Sequence, residues 1–469
     1  MSTLDVFNIS GLNLKLNPFS HRQGELTRAI NVTNDFFGGK AKRPGYITFL
    51  NAADATPVNS LFSWKKNDGT TLFLYRASGS ALYYSIQGTG NWTLCGNGTI
   101  SNGAHVGYAV LENTLIVGDG VGSTRHTTNG SDFTNTTNAP IAASFAEYNQ
   151  RIFAAGTASN LFWSTTGTPT DWTTDSSSVL IPGAGKLSTI FKQNNRLIAC
   201  KNARTMFKYD GVNLFDLSTN LGPSSPYSVA AKEDLRFSLT EDGMTAFDGL
   251  KPQIISNPVQ RMIYNNKLNG IPGTSFETAP AEVHRYEYMV AVGTITDDFT
   301  ERTINDAILV YDIQANEFYN WQFAHNPTAW HSYRDVNGDL TLMFGDKNGN
   351  TYEVVGTATS DAGSAITVEM EGFLHFGAPQ HDKNHRWLTA FSSPGAQAEV
   401  HFSLANTFLT LDKAWQPLGN LTSGVFQKRF PEGSDSKFLF WRVTERSKSP
   451  GFKFFGFSWE GEIESQRIA

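Results

Sequence analysis

Short apolar runs separated by glycine-bearing polar joints are the first pattern in the chain. Residues 59–95 read NSLFSWKKNDGTTLFLYRASGSALYYSIQGTGNWTLC. The alternation predicts four strands, at 61–65, 71–76, 81–86 and 91–95. Their joints, NDG, SGS and QGTG, each carry a glycine, which supplies the positive φ of a tight hairpin. Four antiparallel strands joined by tight turns make one blade of a β-propeller.

The pattern returns at 107–137, 143–174, 187–218 and 225–256. Each unit has a first strand, a polar turn (LEN, YNQ, KQNN, KEDL), an apolar second strand, and a third strand ending in an aromatic and a small or acidic residue. The spacing of about 40 residues falls in the range of propeller repeats. Two looser units follow at 282–323, with the insertion TDDFTERTIND, and at 328–356. The expectation is an all-β protein with a propeller of about seven blades over 59–356. One helix is predicted within 257–270, where Val259, Met262 and Ile263 share a face.

Longer alternating strands replace the repeat after residue 360, clearest at 398–403 and 438–443. They predict a C-terminal β-sandwich-like domain over 360–469. Residues 1–58 form an N-terminal arm that either closes the propeller or completes this second domain.

Composition agrees with β-structure: 34 Phe, 15 Tyr, 10 Trp and 42 Gly. Charged residues are only 17%, and the net charge is −6, which argues against a surface built to grip nucleic acid. The two cysteines, Cys95 and Cys200, have no metal-site spacing and read as buried thiols. The opening MSTLDVFNISG lacks a basic start followed by an apolar run, so no signal peptide is expected. Sequons such as Asn31, Asn91 and Asn129 then read as chance.

The stretch NLFWSTTGTPTDWTT, 160–174, is similar to the Asp-box hairpin of sialidase propellers. Ser164 and Thr166 would hold the turn and Trp172 would pack on its strands. Thr166 stands where the box has its aspartate. Related fragments surround Ser85 and Trp92, and Ser403 and Trp415. A sialidase also needs clustered arginines, yet Arg76, Arg125, Arg151, Arg196, Arg204 and Arg236 are scattered. A general glycosidase needs two neighbouring carboxylates, which spacing alone leaves open. No G-x-S-x-G, HExxH or P-loop is present. RDVNGDL (334–340) and GDKNGNTY (345–352) alternate oxygen ligands but break the EF-hand spacing, so plain turns are expected. His375, His381 and His385 read as a solvated loop. The expectation is no catalytic residue, no cofactor and no metal.

The flanks carry a family resemblance. The opening GLNLKLNPFSHRQGELTRAINVTNDFFGGKAKRPGYITF, through Gly24, Glu25, Ala29, Asn31 and Lys42-Arg43-Pro44-Gly45, resembles the start of tail proteins of short-tailed bacteriophages. GPSSPYSVAAKEDLRFSLTEDGMTAFDG (222–249), LMFGDKNGNTYEV and the closing FWRVTE and FKFFGFSWEGEI are similar to the rest of that family, the tail hub or nozzle. The resemblance implies a structural virion protein, assembled in the bacterial cytoplasm as a hexameric ring. It implies contact with a tail-tube adaptor ring, with fibres or a spike, with double-stranded DNA passing without sequence readout, and with the host envelope during infection. Gly24, Glu25, Arg43, Pro44, Gly45 and Trp459 are the candidate assembly contacts. Deleting residues 1–20 is expected to abolish the ring and leave the propeller folded. The alternative is a carbohydrate-binding or glycan-cleaving propeller in receptor recognition.

Overall fold

The computed structural model describes residues 2–15, 21–35, 38–50, 55–263, 271–296, 302–376, 380–407, 413–422, 424–448 and 451–463. The chain is all-β and contains a β-propeller of six distinct blade sheets. Five are four-stranded antiparallel meanders. The first is built from Val58–Lys65, Leu72–Ser78, Ala81–Ile86 and Thr93–Thr99. The others span 107–135, 142–180, 187–218 and 230–254. The strand positions follow the sequence pattern because alternate apolar side chains face neighbouring blades: Phe62, Trp64, Phe73 and Tyr75 pack with Leu115, Val117 and Phe133 of the next meander.

The sixth blade is completed from far away in sequence. Its strands Pro327–Arg334, Leu340–Asp346 and Thr351–Val355 are joined at the outer edge by Gly45–Thr48 of the arm, with Tyr46 opposite Val354. Tyr46 is fully buried among Phe323, Phe344 and Tyr352. The inner strand Pro327–Arg334 lies against Val58–Lys65, so the last blade meets the first.

A further meander, Ala281–His284, Glu287–Thr296, Thr303–Asp312 and Glu317–Gln322, sits with its inner strand between those of 230–232 and 327–334. It does not end as a separate sheet. Arm strand Leu26–Ile30 continues it, pairing Ile30 with Asn320 on one side and Ala29 with Met370 on the other. Val368–Leu374, Phe438–Glu445, Ala398–Ala405 and Gln416–Leu421 follow, for nine strands in all.

A seven-stranded sheet faces the outer half of this one. It runs Val32–Asn34, Lys40–Lys42, Lys453–Ile463, Lys383–Ser392 and Val425–Arg429, with Ser2–Val6 also on Lys453–Ile463 and Asp435–Ser436 on Lys383–Ser392. Rings interlock between the two sheets: Trp441 and Phe457 lie 4.8 Å apart, Phe402 and Phe430 5.0 Å. One hydrophobic core runs from the meander at 281–322 through both sheets and includes Val6, Ile9, Leu12 and Leu14 of the arm.

Two local expectations are adjusted. The unit at 143–174 reaches its fourth strand only at Ser177–Leu180, because the hairpin at 164–174 intervenes. Within 257–270, a short 3-10 turn, Asn257–Val259, leads into helix Gln260–Ile263, with Val259, Met262 and Ile263 all buried; 264–270 lie outside the described residues. A helix at Gly273–Thr278, anchored by buried Phe276, has no apolar repeat to announce it.

Candidate functional site

The segment KAKRPG, 40–45, lies where the arm, the propeller and the two large sheets meet. Charged groups buried here need partners, since an unpaired buried ion is very costly. Lys40, 1% exposed, donates to Glu317 Oε2 (2.7 Å), Asn34 Oδ1 (2.5 Å) and Tyr319 OH (2.9 Å), which uses all three ammonium hydrogens. Burial lowers its pKa, and Glu317 opposes that shift. Lys42 Nζ lies 2.5 Å from Glu445 Oε2 and donates to the Ser447 carbonyl at 2.8 Å.

Arg43 is 1% exposed and holds the most extensive set. Its two terminal nitrogens clasp Asp361, at 2.9 and 2.6 Å. They also donate to the Pro44 and Gln322 carbonyls, while Nε donates to Asn31 Oδ1 at 2.8 Å. All five guanidinium hydrogens are used. The plane lies over the Phe323 ring, 4.3 Å from its centroid. Thus three cations within four residues reach carboxylates on three separate strands: Glu317 in the meander at 281–322, Glu445 in Phe438–Glu445 of the same nine-stranded sheet, and Asp361 in Ser360–Asp361, which pairs with Gly45–Thr48 in the sixth blade sheet.

The other predicted contact residues are also occupied within the chain. Gly24 adopts φ +90°, and a Cβ there would overlap the Asn8 carbonyl oxygen. Glu25 accepts from Asn13 Nδ2 (2.7 Å) and the Arg22 amide (2.8 Å). Pro44 is half-buried beside the cleft described below. Gly45 donates its amide to Ala358, and a Cβ there would overlap the Ser360 oxygen. Trp459, 1% exposed, donates to His385 Nδ1 at 3.0 Å and packs on Phe376. Arg43, Gly45 and Trp459 are therefore residues buried within the chain. Sequence reasoning missed Glu317, Glu445 and Asp361. The available signal was a cluster of cations beside apolar strands in a weakly charged chain.

A cleft of about 900 Å³ opens beside Lys40. Across three adjacent strands, Glu287 stands opposite Asp312, and Asp312 opposite Glu317. Cross-strand neighbours bring such side chains together, so this is a row of three carboxylates. Burial, helped by Asp312, pushes Glu287 up to about 7, against a hydrogen bond from Thr33 Oγ1 at 2.8 Å. Asp312 caps the next turn through the Gln314 and Ala315 amides and accepts from Asn34 Nδ2 at 2.7 Å. Glu317 is held by Lys40 and by Tyr319.

The propeller axis holds a second polar set. Its recess of about 510 Å³ is lined by Tyr108, Glu147, Lys192 and Tyr227, among others, and Tyr227 stacks on His105 at 3.6 Å. Glu282 accepts from the Val283 and Ser332 amides, and burial raises it to about 7.

In the 160–174 hairpin, Ser164 Oγ accepts the Ile152 amide at 3.0 Å, and Thr166 Oγ1 donates to Asp175. Trp172 donates to the Pro169 carbonyl and packs with Ala109, Leu111 and Ile116 of the preceding blade, as well as with its own sheet. Asp335 and Asp346 each accept two amides of their own turns. His375 and His385 point to different partners, the His21 carbonyl and Ser436. Among the described residues no group of three His, Cys, Asp or Glu could hold a metal ion. Both cysteines are buried free thiols.

No protein-family profile matches this chain, and no curated protein matches it. Among solved structures it is similar to the computationally designed Ika8 protein, at 10% identity over 66% of this chain and 99% of that one, with a TM-score of 0.39. It is also similar to YCF48 bound to D1 peptide, at 6% identity over 65% of this chain and 95% of that one, with a TM-score of 0.41.

Proposed function

We propose that this chain is a structural virion protein, the tail hub or nozzle of a short-tailed bacteriophage. In this reading copies form a hexameric ring at the end of the tail tube, closing the DNA channel for genome retention and guiding DNA at ejection. The observation that carries it is the place of Lys42-Arg43-Pro44-Gly45. These residues bear much of the resemblance, and they join arm, propeller and outer sheets into one body. A body braced this way suits a part that bears load in an assembly. The net charge of −6 suits a wall that DNA must pass without sticking. The partners of the reading are the tail-tube adaptor ring, fibres or a spike, and the host envelope.

We further count the meander at 281–322 as a seventh blade, since its inner strand stands in the ring between two others. The paired outer sheets then make an additional β-domain. Light scattering and negative-stain electron microscopy test the hub reading together. Six-fold rings are expected, and a chain that stays monomeric at every concentration overturns it.

A second reading, glycan binding or cleavage, is favoured by one feature. Glu287, held partly protonated near neutral pH, faces Asp312 in the large cleft, and a proton-donating acid beside a second carboxylate is what glycoside hydrolysis requires. Oligosaccharide binding or turnover that is lost in Glu287→Gln would support it. No binding to a broad glycan panel would dismiss it.

A further inference from the structure

We propose that a second copy of this chain joins the seven-stranded sheet edge to edge, strand Val425–Arg429 of one copy pairing with strand Ser2–Val6 of the next. This deepens the hub reading and rests on it for the closed ring, but its argument is geometric.

Those two strands are the opposite edges of one sheet. Among the described residues Ser2–Val6 pairs only with Lys453–Ile463, and Val425–Arg429 only with Lys383–Ser392. Each step across the sheet is antiparallel: Ser2–Val6 to Lys453–Ile463, then to Lys383–Ser392, then to Val425–Arg429. Three reversals leave the two edge strands running in opposite directions. A copy moved sideways within the plane of the sheet therefore meets its neighbour antiparallel, the more stable ladder.

The register follows from rows already present. Asp5, Ser458, Thr389 and Gln427 form one row, and Thr3, Glu460, Trp387 and Arg429 another. Continuing them places Asp5 of the next copy opposite Gln427, and Thr3 opposite Arg429. A third row is apolar. Phe7, 49% exposed, packs on Phe391, which stands opposite Val425, 54% exposed. In the joined sheet Phe7 of the next copy falls beside Val425, so two half-exposed apolar ends cover each other.

Charge selects this pairing over the alternatives. The Val425–Arg429 edge exposes Lys428 and Arg429, and the Ser2–Val6 edge exposes Asp5. Two basic edges repel, as charged edge strands do in general, whereas the basic and acidic edges attract. The contact is heterologous, so it either closes a ring or runs on as a filament. About five residue pairs fall short of the ~1,000 Å² of a stable interface, so a closed ring, which holds every copy at both edges, is the favourable form.

The test uses a double variant, Asp5→Cys with Gln427→Cys, treated with a short bismaleimide. Within one chain these positions lie three strand spacings apart, about 14 Å, beyond the reach of that linker. Cys95 and Cys200 are buried. The expected result is a ladder of dimers and larger products on a denaturing gel, dimers only when the two single variants are mixed, and none from either alone. Arg429→Asp, on the same face as Asp5, should weaken assembly and added Asp5→Lys should restore it. Rings that form without a ladder overturn the proposal and leave the hub reading standing. A ladder from open filaments upholds the edge pairing and removes the closed hub. Monomers without cross-links dismiss both.

Discussion

Arg43 and Asp361 stand 318 residues apart in sequence and face each other as a two-pronged ion pair, both buried. Asp361 also accepts the Ala324 amide, so the pair ties the arm, the end of the meander at 281–322 and the strand Ser360–Asp361 of the sixth blade sheet.

Removing one partner leaves a buried charge without its counter-ion. Arg43→Met or Asp361→Asn should each lower unfolding free energy by about 3–5 kcal/mol. Arg43→Lys should also lose stability, because an ammonium cannot make the forked contact. The double variant Arg43→Met with Asp361→Leu should lose less than either single one. Urea denaturation followed by tryptophan fluorescence measures all four; a nearly silent Arg43→Met would remove the pair from its central place.

The truncation of residues 1–20 takes on a different meaning once the core is known. It removes Val6, Ile9, Leu12 and Leu14, all buried in the main core. At about 1.5–3 kcal/mol each, their loss rivals the whole stability of a typical domain. The expected outcome is an insoluble or partly unfolded chain, read by circular dichroism and gel filtration. Deleting residues 1–5 alone removes an edge strand and the partly buried Leu4 but keeps Val6, Ile9, Leu12 and Leu14, and should lower the melting temperature far less than the longer truncation.

Trp172→Ala should cost about 3–5 kcal/mol, since the indole fills the space between two blades. Thermal melting measures it. Loss of a glycan-related activity with stability unchanged would instead make the hairpin part of a site.

Glu287 gives a pH dependence of definite sign. Its folded-state pKa, about 7, lies above the ordinary carboxyl value. The folded chain thus binds more protons than the unfolded one between the two values. The Glu287 contribution to stability is fully present below pH 4.5, the ordinary value, and is lost as pH rises through about 7. Glu282 acts in the same direction. Glu287→Gln should therefore gain on the parent as pH goes from 5 to 8, in urea midpoints taken at both ends. An unchanged difference would show that the carboxyl titrates normally.

His385 works in the opposite direction. Burial first, and Lys383 next, lower its pKa to about 4. Its Nδ1 accepts from Trp459, so the neutral ring must carry its proton on Nε2, toward Ser436. Its contribution is fully present above pH 6.5 and is lost as pH falls toward 4. His385→Gln should flatten the acid limb of the stability curve; an acid limb as steep as the parent's would assign it to other groups.

Much of the architecture was legible in the chain because its signals are local. Glycine joints and alternating apolar residues mark each strand of the blade at 58–99 within a few positions of where it lies. The same signal found Val259, Met262 and Ile263 on one buried face. What it could not find was any partner at long range. Glu317, Glu445 and Asp361 look like ordinary surface carboxylates in sequence, and nothing local says which cation each one meets. Nor could it tell that the unit at 328–356 takes its outer strand from residues 45–48.

By itself, then, the sequence determined the strands, the turns and the repeat, because backbone periodicity and glycine conformation act over a few residues. The tertiary structure alone decided that the arm is shared between propeller and outer sheets, that the KAKRPG cations are buried rather than displayed, and which strands end each sheet among the described residues. Those outcomes depend on desolvation and pairing between groups hundreds of residues apart, and such energies exist only once the chain has closed on itself.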